Sequence, residues 1–554
     1  MNKILSITIV LCLCASPLYV PRAHAQDVQA MDYTALESTG LLGDEDANSL
    51  GTGIYRHANR ADLVSLLKNI NHTPWVALQS TIKNLLLTSA DSKAINNDIP
   101  ITKGQDLLTL RITALLRMGY NRAAFELYNK ASDSTLDEPL IRAGIFSMLL
   151  NKQKALACLE VKTSFKKYSD LTFWKEMNAF CTLSLSKEKQ QSHSDIIDQS
   201  DHKILKTILD DETFRFEYNP QTFQALSFLE RAALTAEDRI ILPASDEGLY
   251  KSIPPQHLAA LLVQSNMSEQ TKAILTTAAV ENGIEAPKAL SALYEGILEH
   301  YKNNPPKNND WYTLAFLFDE TKAGWLPKKR KDKVAEAFNI AKNYGDAALI
   351  PFLPALEHMH IGDDLSLEDA YRAARLFLYS DMSPPNDWID DLLGLHYDDV
   401  TMENTRLKLL TALSVMTKAD DGDQRAKVKE TLNKFLFSDQ KKYAFKNIIE
   451  NIDISENNSD KVRYIDANGF DLVWNNRYTM PPYVVLRALK QSSRNQDTSV
   501  SLLLSAYMLG KISTKDIYVG TLGDIVIALN DSGLTQLSHR MVAQAVLQME
   551  TEGE

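Results

Sequence analysis

Leu115-Leu116-Arg117-Met118-Gly119 closes one apolar run of helical spacing, and Asn121-Arg122-Ala123-Ala124-Phe125-Glu126-Leu127-Tyr128 opens another. The same order returns downstream, where Met148-Leu149-Leu150-Asn151 precedes Gln153-Lys154-Ala155-Leu156-Ala157-Cys158-Leu159-Glu160. Gly119 aligns with Asn151, 32 residues on, and both residue types tolerate the left-handed backbone that ends a helix. Ala123 then aligns with Ala155, where a small side chain lets the next helix approach closely. Two helices per unit, at a period in the low thirties, cannot bury their apolar faces alone, so neighbouring units must stack. The fold expected is all-α: a superhelical solenoid of antiparallel helix pairs.

The same spacing runs along most of the chain. Arg60–Ile70, Pro74–Ser89 and Gly104–Met118 each place apolar residues three and four apart. Pro255, Pro287, Pro385 and Pro482 stand at or just before amphipathic runs, where a missing N–H costs nothing. Ser366-x-x-Asp369 and Ser513-x-x-Asp516 read as capping boxes. After the first, Leu367, Ala370, Tyr371, Ala374 and Leu378 share one face. Near the end, Ile525–Leu529 leads to Gly533 and a last helix over Leu537–Leu547. Only 21 Gly and 19 Pro in 554 residues leave too few turn formers for a β-sandwich.

Gly119, Ala123, Ala124 and Ala131 together resemble the tetratricopeptide repeat, although its tryptophan and tyrosine positions are absent. That resemblance implies a TPR-like solenoid that holds protein or peptide partners. Leu149-Leu150, Ala157-Cys158 and Phe173-Trp174 through Phe180-Cys181 also resemble a group of uncharacterised exported alphaproteobacterial helical proteins. This second likeness implies export and helices, and no activity.

Residues 1–25 read as a signal peptide: Lys3, an apolar stretch from Ile4 to Ala15, and Ala23-His24-Ala25 as a small-x-small cleavage site, so cleavage is expected after Ala25. The alternative is an anchor or a buried helix, but the apolar run is short and Pro17 and Pro21 break it. A cleaved leader places the chain in the periplasm or outside the cell. No later run has the length and apolarity of a membrane span, so no integral membrane segment is expected after signal removal. Cleavage takes two positive charges and no acid, so the formal net charge of -12 becomes -14. An acidic surface repels phosphate backbones, which makes nucleic acid an unsuitable partner. The short basic run Lys328-Lys329-Arg330-Lys331 is expected to be a solvated helix start.

Cys12 and Cys14 leave with the leader, and Cys158 and Cys181 remain. The runs 152–165 and 171–186 both carry helical spacing, and Lys166-Lys167-Tyr168-Ser169-Asp170 forms a polar turn between them, with Asp170 placed to cap the second helix. The two cysteines lie equally far from that turn. In an antiparallel pair equal distance means equal height, so the thiols face each other and a disulfide is expected. The alternative is two buried free thiols.

The expected organisation is a flexible acidic and Gly-rich lead-in over 26–59, helical repeats over 60–240, 241–454 and 482–554, and a non-helical insert at 455–481. In that insert Asn468-Gly469 suits a hairpin turn; the alternative is a long loop packed by Tyr464, Phe470 and Trp474. Those three aromatics form the candidate contact segment. Searches for catalytic, cofactor and metal constellations yield none. His358-Met359-His360 has spacing that points two ligands apart on a helix. Asp420-Asp421-Gly422-Asp423 lacks calcium-loop spacing. Asp387, Asp390 and Asp391 near Trp388 suit a helix N-terminus. An exported helical ring resembles the non-catalytic part of soluble lytic transglycosylases, and Glu37-Ser38 before Gly40-Leu41-Leu42 is similar to their catalytic stretch. The function expected is an exported scaffold or adaptor for protein or peptide partners in the cell envelope. The alternatives are a cell-wall enzyme acting through Glu37 and a self-assembling structural protein.

Overall fold

A computed structural model describes residues 33–131, 136–185, 191–242, 253–322, 327–417 and 481–548, apart from 511, 515 and 518, together with part of 424–431. The regular secondary structure among these residues is almost entirely α-helical. The first eight helices are α1 (Tyr33–Ser38), α2 (Arg60–Asn69), α3 (Val76–Leu87), α4 (Leu107–Arg117), α5 (Asn121–Lys130), α6 (Glu138–Leu150), α7 (Lys154–Tyr168) and α8 (Thr172–Leu185). Local signals set their starts: the Asp106 and Asp137 side chains accept the N–H of Thr109 and Leu140 at the heads of α4 and α6. Pro255, Pro287 and Pro482 each open a helix, and Ser366 caps Leu367–Tyr379 through the Asp369 N–H at 3.1 Å. Leu367, Ala370, Ala374 and Leu378 are buried along that helix.

The turn between paired helices recurs with one hydrogen-bond pattern. Gly119 has φ +88°; its N–H reaches the Leu116 carbonyl, and the next N–H, of Tyr120, reaches the Leu115 carbonyl at 2.8 Å. A Cβ at Gly119 would also stand 2.8 Å from Gln256 Cα. In the following unit the left-handed residue is Lys152 (φ +59°), not Asn151 (φ -101°), and Gln153 N–H reaches the Met148 carbonyl at 2.8 Å. The spacing between the two turns is therefore 33 residues, one more than the sequence alignment of Gly119 with Asn151 gives. Ala124 and Ala157, each five residues after the left-handed residue of its turn, are both fully buried. The pattern returns at Asp238, Gly283, Asp381, Gln496 and Gly533.

The end of the chain returns to its beginning. Thr73 Oγ1 donates to the Leu509 carbonyl, Trp75 Nε1 to the Ile512 carbonyl at 3.0 Å, and Gln544 Nε2 to the Pro74 carbonyl at 3.1 Å. The C-terminal helix Thr535–Gln548 lies against both α3 and Val400–Met416. Tyr371 donates to the Leu547 carbonyl, and Arg540 pairs with Asp381. An open stack in which each pair meets only its neighbours would keep these ends apart; here they share buried surface.

A small parallel strand pair, β1 (Phe216–Glu217) and β2 (Ile240–Ile241), brackets the helix Phe228–Ala236. Phe216 N–H donates to the Arg239 carbonyl at 2.7 Å and Tyr218 N–H to that of Ile241 at 2.8 Å. The expected division between residues 240 and 241 cuts β2. The expected insert at 455–481, with Tyr464, Phe470 and Trp474, lies outside the described residues except at Pro481. So do the leader with Ala25 and the acidic run 420–423.

Two expectations need correction. The lead-in over 26–59 is not loose where it is described: Leu36, Glu37, Tyr55 and Ala58 are buried, and Tyr55 donates to the Leu85 carbonyl at 2.8 Å. Its apolar residues outweighed the Gly and acid content that suggested looseness. Ser513-x-x-Asp516 caps no helix; Ser513 Oγ donates to Asp516 Oδ2 inside a turn, and the next helix begins at Val519. Conversely, Ser227 and Glu230 form a reciprocal capping box that sequence reading missed.

Candidate functional site

The helical hairpin α7–α8 carries the site. Cys158 and Cys181 form a disulfide with Cα atoms 5.4 Å apart, as the symmetric spacing about the 169–171 turn requires. Beneath the bridge, Ala157, Val161, Trp174, Met177 and Phe180 are buried, and Trp174 Nε1 donates to Glu138 Oε1 at 2.9 Å. The open end of the hairpin is pinned by two ion pairs to the turn after Phe228–Ala236: Lys152 to Asp238 at 2.9 Å and Lys154 to Glu237 at 2.8 Å. Asp238 also accepts the Ser265 N–H at 2.8 Å and the Ser265 hydroxyl. Burial alone would raise this carboxyl, but the Ser265 bonds and Lys152 hold it below the usual carboxylate range.

The outer face of this hairpin carries exposed leucines among lysines. Leu156, Leu159 and Leu185 are 46, 58 and 57% exposed, and Leu171 in the turn is exposed as well. With the cysteines level, Leu185 stands beside the first turn of α7, where Leu156 sits. Leu159 follows Cys158 by one residue, about 100° round, and Leu185 follows Cys181 by four, about 40° round. In antiparallel helices these rotations bring both side chains to the same outer side. Among the described residues the other exposed large apolar side chains are Ile241, Phe316, Val400, Met402, Tyr483, Val484 and Tyr507. Clustered exposure of this kind marks a contact surface, whereas single residues do not.

Glu37 does not have the setting of a catalytic acid. Its carboxylate is buried and takes both Arg60 terminal nitrogens, at 2.6 and 2.8 Å, plus the Leu107 N–H at the head of α4 at 2.8 Å. Arg111 donates to the carbonyls of Thr88, Glu37 and Thr39, which ends α1 and α3 at one guanidinium. Gly40 is needed here because the Ser89 backbone passes so near that a Cβ would stand 2.3 Å from its nitrogen. The stretch that resembles a catalytic one is thus a buried structural joint. Asp106 beside it is pushed up to about 6, chiefly by burial, with the Thr109 bonds opposing and Asp137 and Glu37 adding to the rise.

His360, Asp391 and Met359 are each held by hydrogen bonds. His360 pairs with Asp391 at 3.3 Å, Asp391 also accepts the Ile361 N–H at 2.9 Å, and the Met359 carbonyl between the two histidines accepts Trp388 Nε1 at 2.7 Å. His257 is buried between Tyr218 OH (2.9 Å) and Gln224 Oε1 (2.8 Å). Among the described residues no group of three or more His, Cys, Asp or Glu is placed to hold a metal ion, and no helix is long and apolar enough to cross a membrane. Sequence reading found the cysteines but missed the leucines, because exposed and buried leucines have the same helical spacing. No family model, no curated protein and no solved structure matches the chain.

Proposed function

We propose that the protein is an exported scaffold or adaptor that binds a protein or peptide partner in the cell envelope, with helix pairs arranged in the tetratricopeptide manner. The exposed leucine face of the stapled hairpin carries the reading: Leu156, Leu159 and Leu185 stay in water on a surface that a disulfide and two ion pairs hold rigid. A rigid surface loses little conformational freedom on binding, so its apolar contacts go further toward affinity. Export is supported by the leader pattern over residues 1–25 and by the disulfide, which needs an oxidising compartment. The test is a native pull-down from the envelope with wild type and with Leu156→Asp/Leu159→Asp. A partner enriched by the first and lost with the second is the expected result; absence of any enriched partner overturns the reading. Light scattering on the same samples separates an adaptor from a self-assembling chain. The burial of Glu37 against Arg60 gives the cell-wall enzyme reading no support.

A further inference from the structure

We infer that the occupant of this leucine face is an acidic amphipathic helix of another exported protein; the inference rests on the adaptor reading. The charges around the face decide its sign. Lys162, Lys166 and Lys175 are exposed beside the leucines and make no ion pair among the described residues, and Lys167 lies over the Tyr168 ring at 4.9 Å. The hairpin's other lysine, Lys154, is already held by Glu237. Against these four cations the outer surface sets Glu160 and Asp170, while Glu176 is turned inward to Ser200. The face is therefore locally basic on a chain whose formal net charge is -12. Charges farther off than about 8–10 Å are largely screened at physiological salt, so a ligand on the hairpin meets the lysines rather than the net charge.

The shape fits one helix. From Leu156 to Leu171 the hairpin is about 20 Å long, some four turns of a partner helix. Its apolar residues, three and four apart, would lie on the leucines while acids on its flanks meet the lysines. An anionic membrane fits less well. A bilayer would approach the whole side of an acidic protein, and Glu160 and Asp170 would be pressed to it with the lysines.

The experiment places a photo-crosslinking residue on the face, Leu159→benzoylphenylalanine, in the full chain expressed in its own envelope, and maps the adduct by mass spectrometry. The expected adduct is a segment of another protein with acids flanking an apolar stripe of helical spacing. Adding Lys162→Glu/Lys166→Glu/Lys175→Glu should cut adduct yield several-fold, with circular dichroism unchanged because all three lysines are exposed. An adduct on phospholipid, on a second copy, on another part of this chain or on a segment without that pattern overturns the inference, as does no adduct. Undiminished yield with the three glutamates overturns it too. A partner that the pull-down enriches but that crosslinks elsewhere leaves the adaptor reading standing; no enriched partner removes that reading itself.

Discussion

Lys152 and Asp238 both adopt left-handed backbone, at φ +59° and +57°, each ends its own helix, and their side chains form an ion pair of 2.9 Å. Two turns 86 residues apart are thus locked to one another by the residues that make them. Both side chains are partly exposed, so the pair itself contributes no more than about 1 kcal/mol. Asp238 does more through its two Ser265 bonds and its tolerance of positive φ.

Asp238→Ala should therefore cost about 2 kcal/mol in urea unfolding, from lost hydrogen bonds and added backbone strain. Asp238→Asn keeps the turn and one acceptor, and should cost about half as much. Equal stability of the Ala variant and wild type would show that the turn is held by packing alone.

The disulfide joins residues 23 apart. Closing a loop of that length restricts the unfolded chain by about 3 kcal/mol in the entropic account. Cys158→Ala/Cys181→Ala should lower unfolding stability by about that amount. It should also make the leucine face less rigid, read as faster amide exchange in α7 and α8 than in α4. Unchanged exchange would mean that Ala157, Trp174 and Phe180 hold the hairpin without the bridge.

The legible and illegible parts of the fold divide by residue type. Gly119, Gly283 and Gly533 mark turns openly, because only glycine enters left-handed backbone without cost. Lys152, Asp238, Asp381 and Gln496 make the same turn and carry no such mark, which is why the sequence pattern places the turn one residue early, at Asn151. The cysteine register was legible since two equal distances from one turn suffice. The return of the C-terminal helices to α3 was not, because the bonds from Thr73, Trp75 and Gln544 use ordinary residues paired across more than 400 positions. The leucine face was illegible for a different reason: apolar periodicity shows that a helix has an apolar side, and Leu156 and Leu159 lie off the buried side of theirs.

Glu37 and Arg60 test the structural reading of the first helix. Breaking a buried pair by removing one partner costs about 3–5 kcal/mol. Glu37→Gln should approach that loss, and Glu37→Met/Arg60→Met should recover part of it by leaving no unpaired charge. A Glu37→Gln variant of wild-type stability that had lost muropeptide release would restore the enzyme reading.

Acid titration separates buried groups whose shifts have opposite sign. Burial, helped by the charge on Arg231, lowers His257 from 6.5 to about 4, so between those values the unfolded chain binds a proton that the folded chain refuses. The neutral imidazole between Tyr218 and Gln224 thus contributes stability that is full above pH 6.5 and is lost as pH falls through about 4, worth up to about 3 kcal/mol. His72 behaves alike: burial lowers it to about 4, against its bond to the Asn282 carbonyl. Asp106 runs the other way. Raised from 3.8 to about 6, it favours folding below pH 3.8 and loses that contribution as pH rises through 6. Two histidines outweigh one aspartate, so these three groups together should lower stability from pH 7 to pH 4.5. His257→Asn should flatten the slope, and Asp106→Asn, which keeps an N-cap acceptor for Thr109, should steepen it. Urea midpoints at several pH values read both slopes. If the two variants moved the slope in the same direction, one of these burial effects would have the wrong sign.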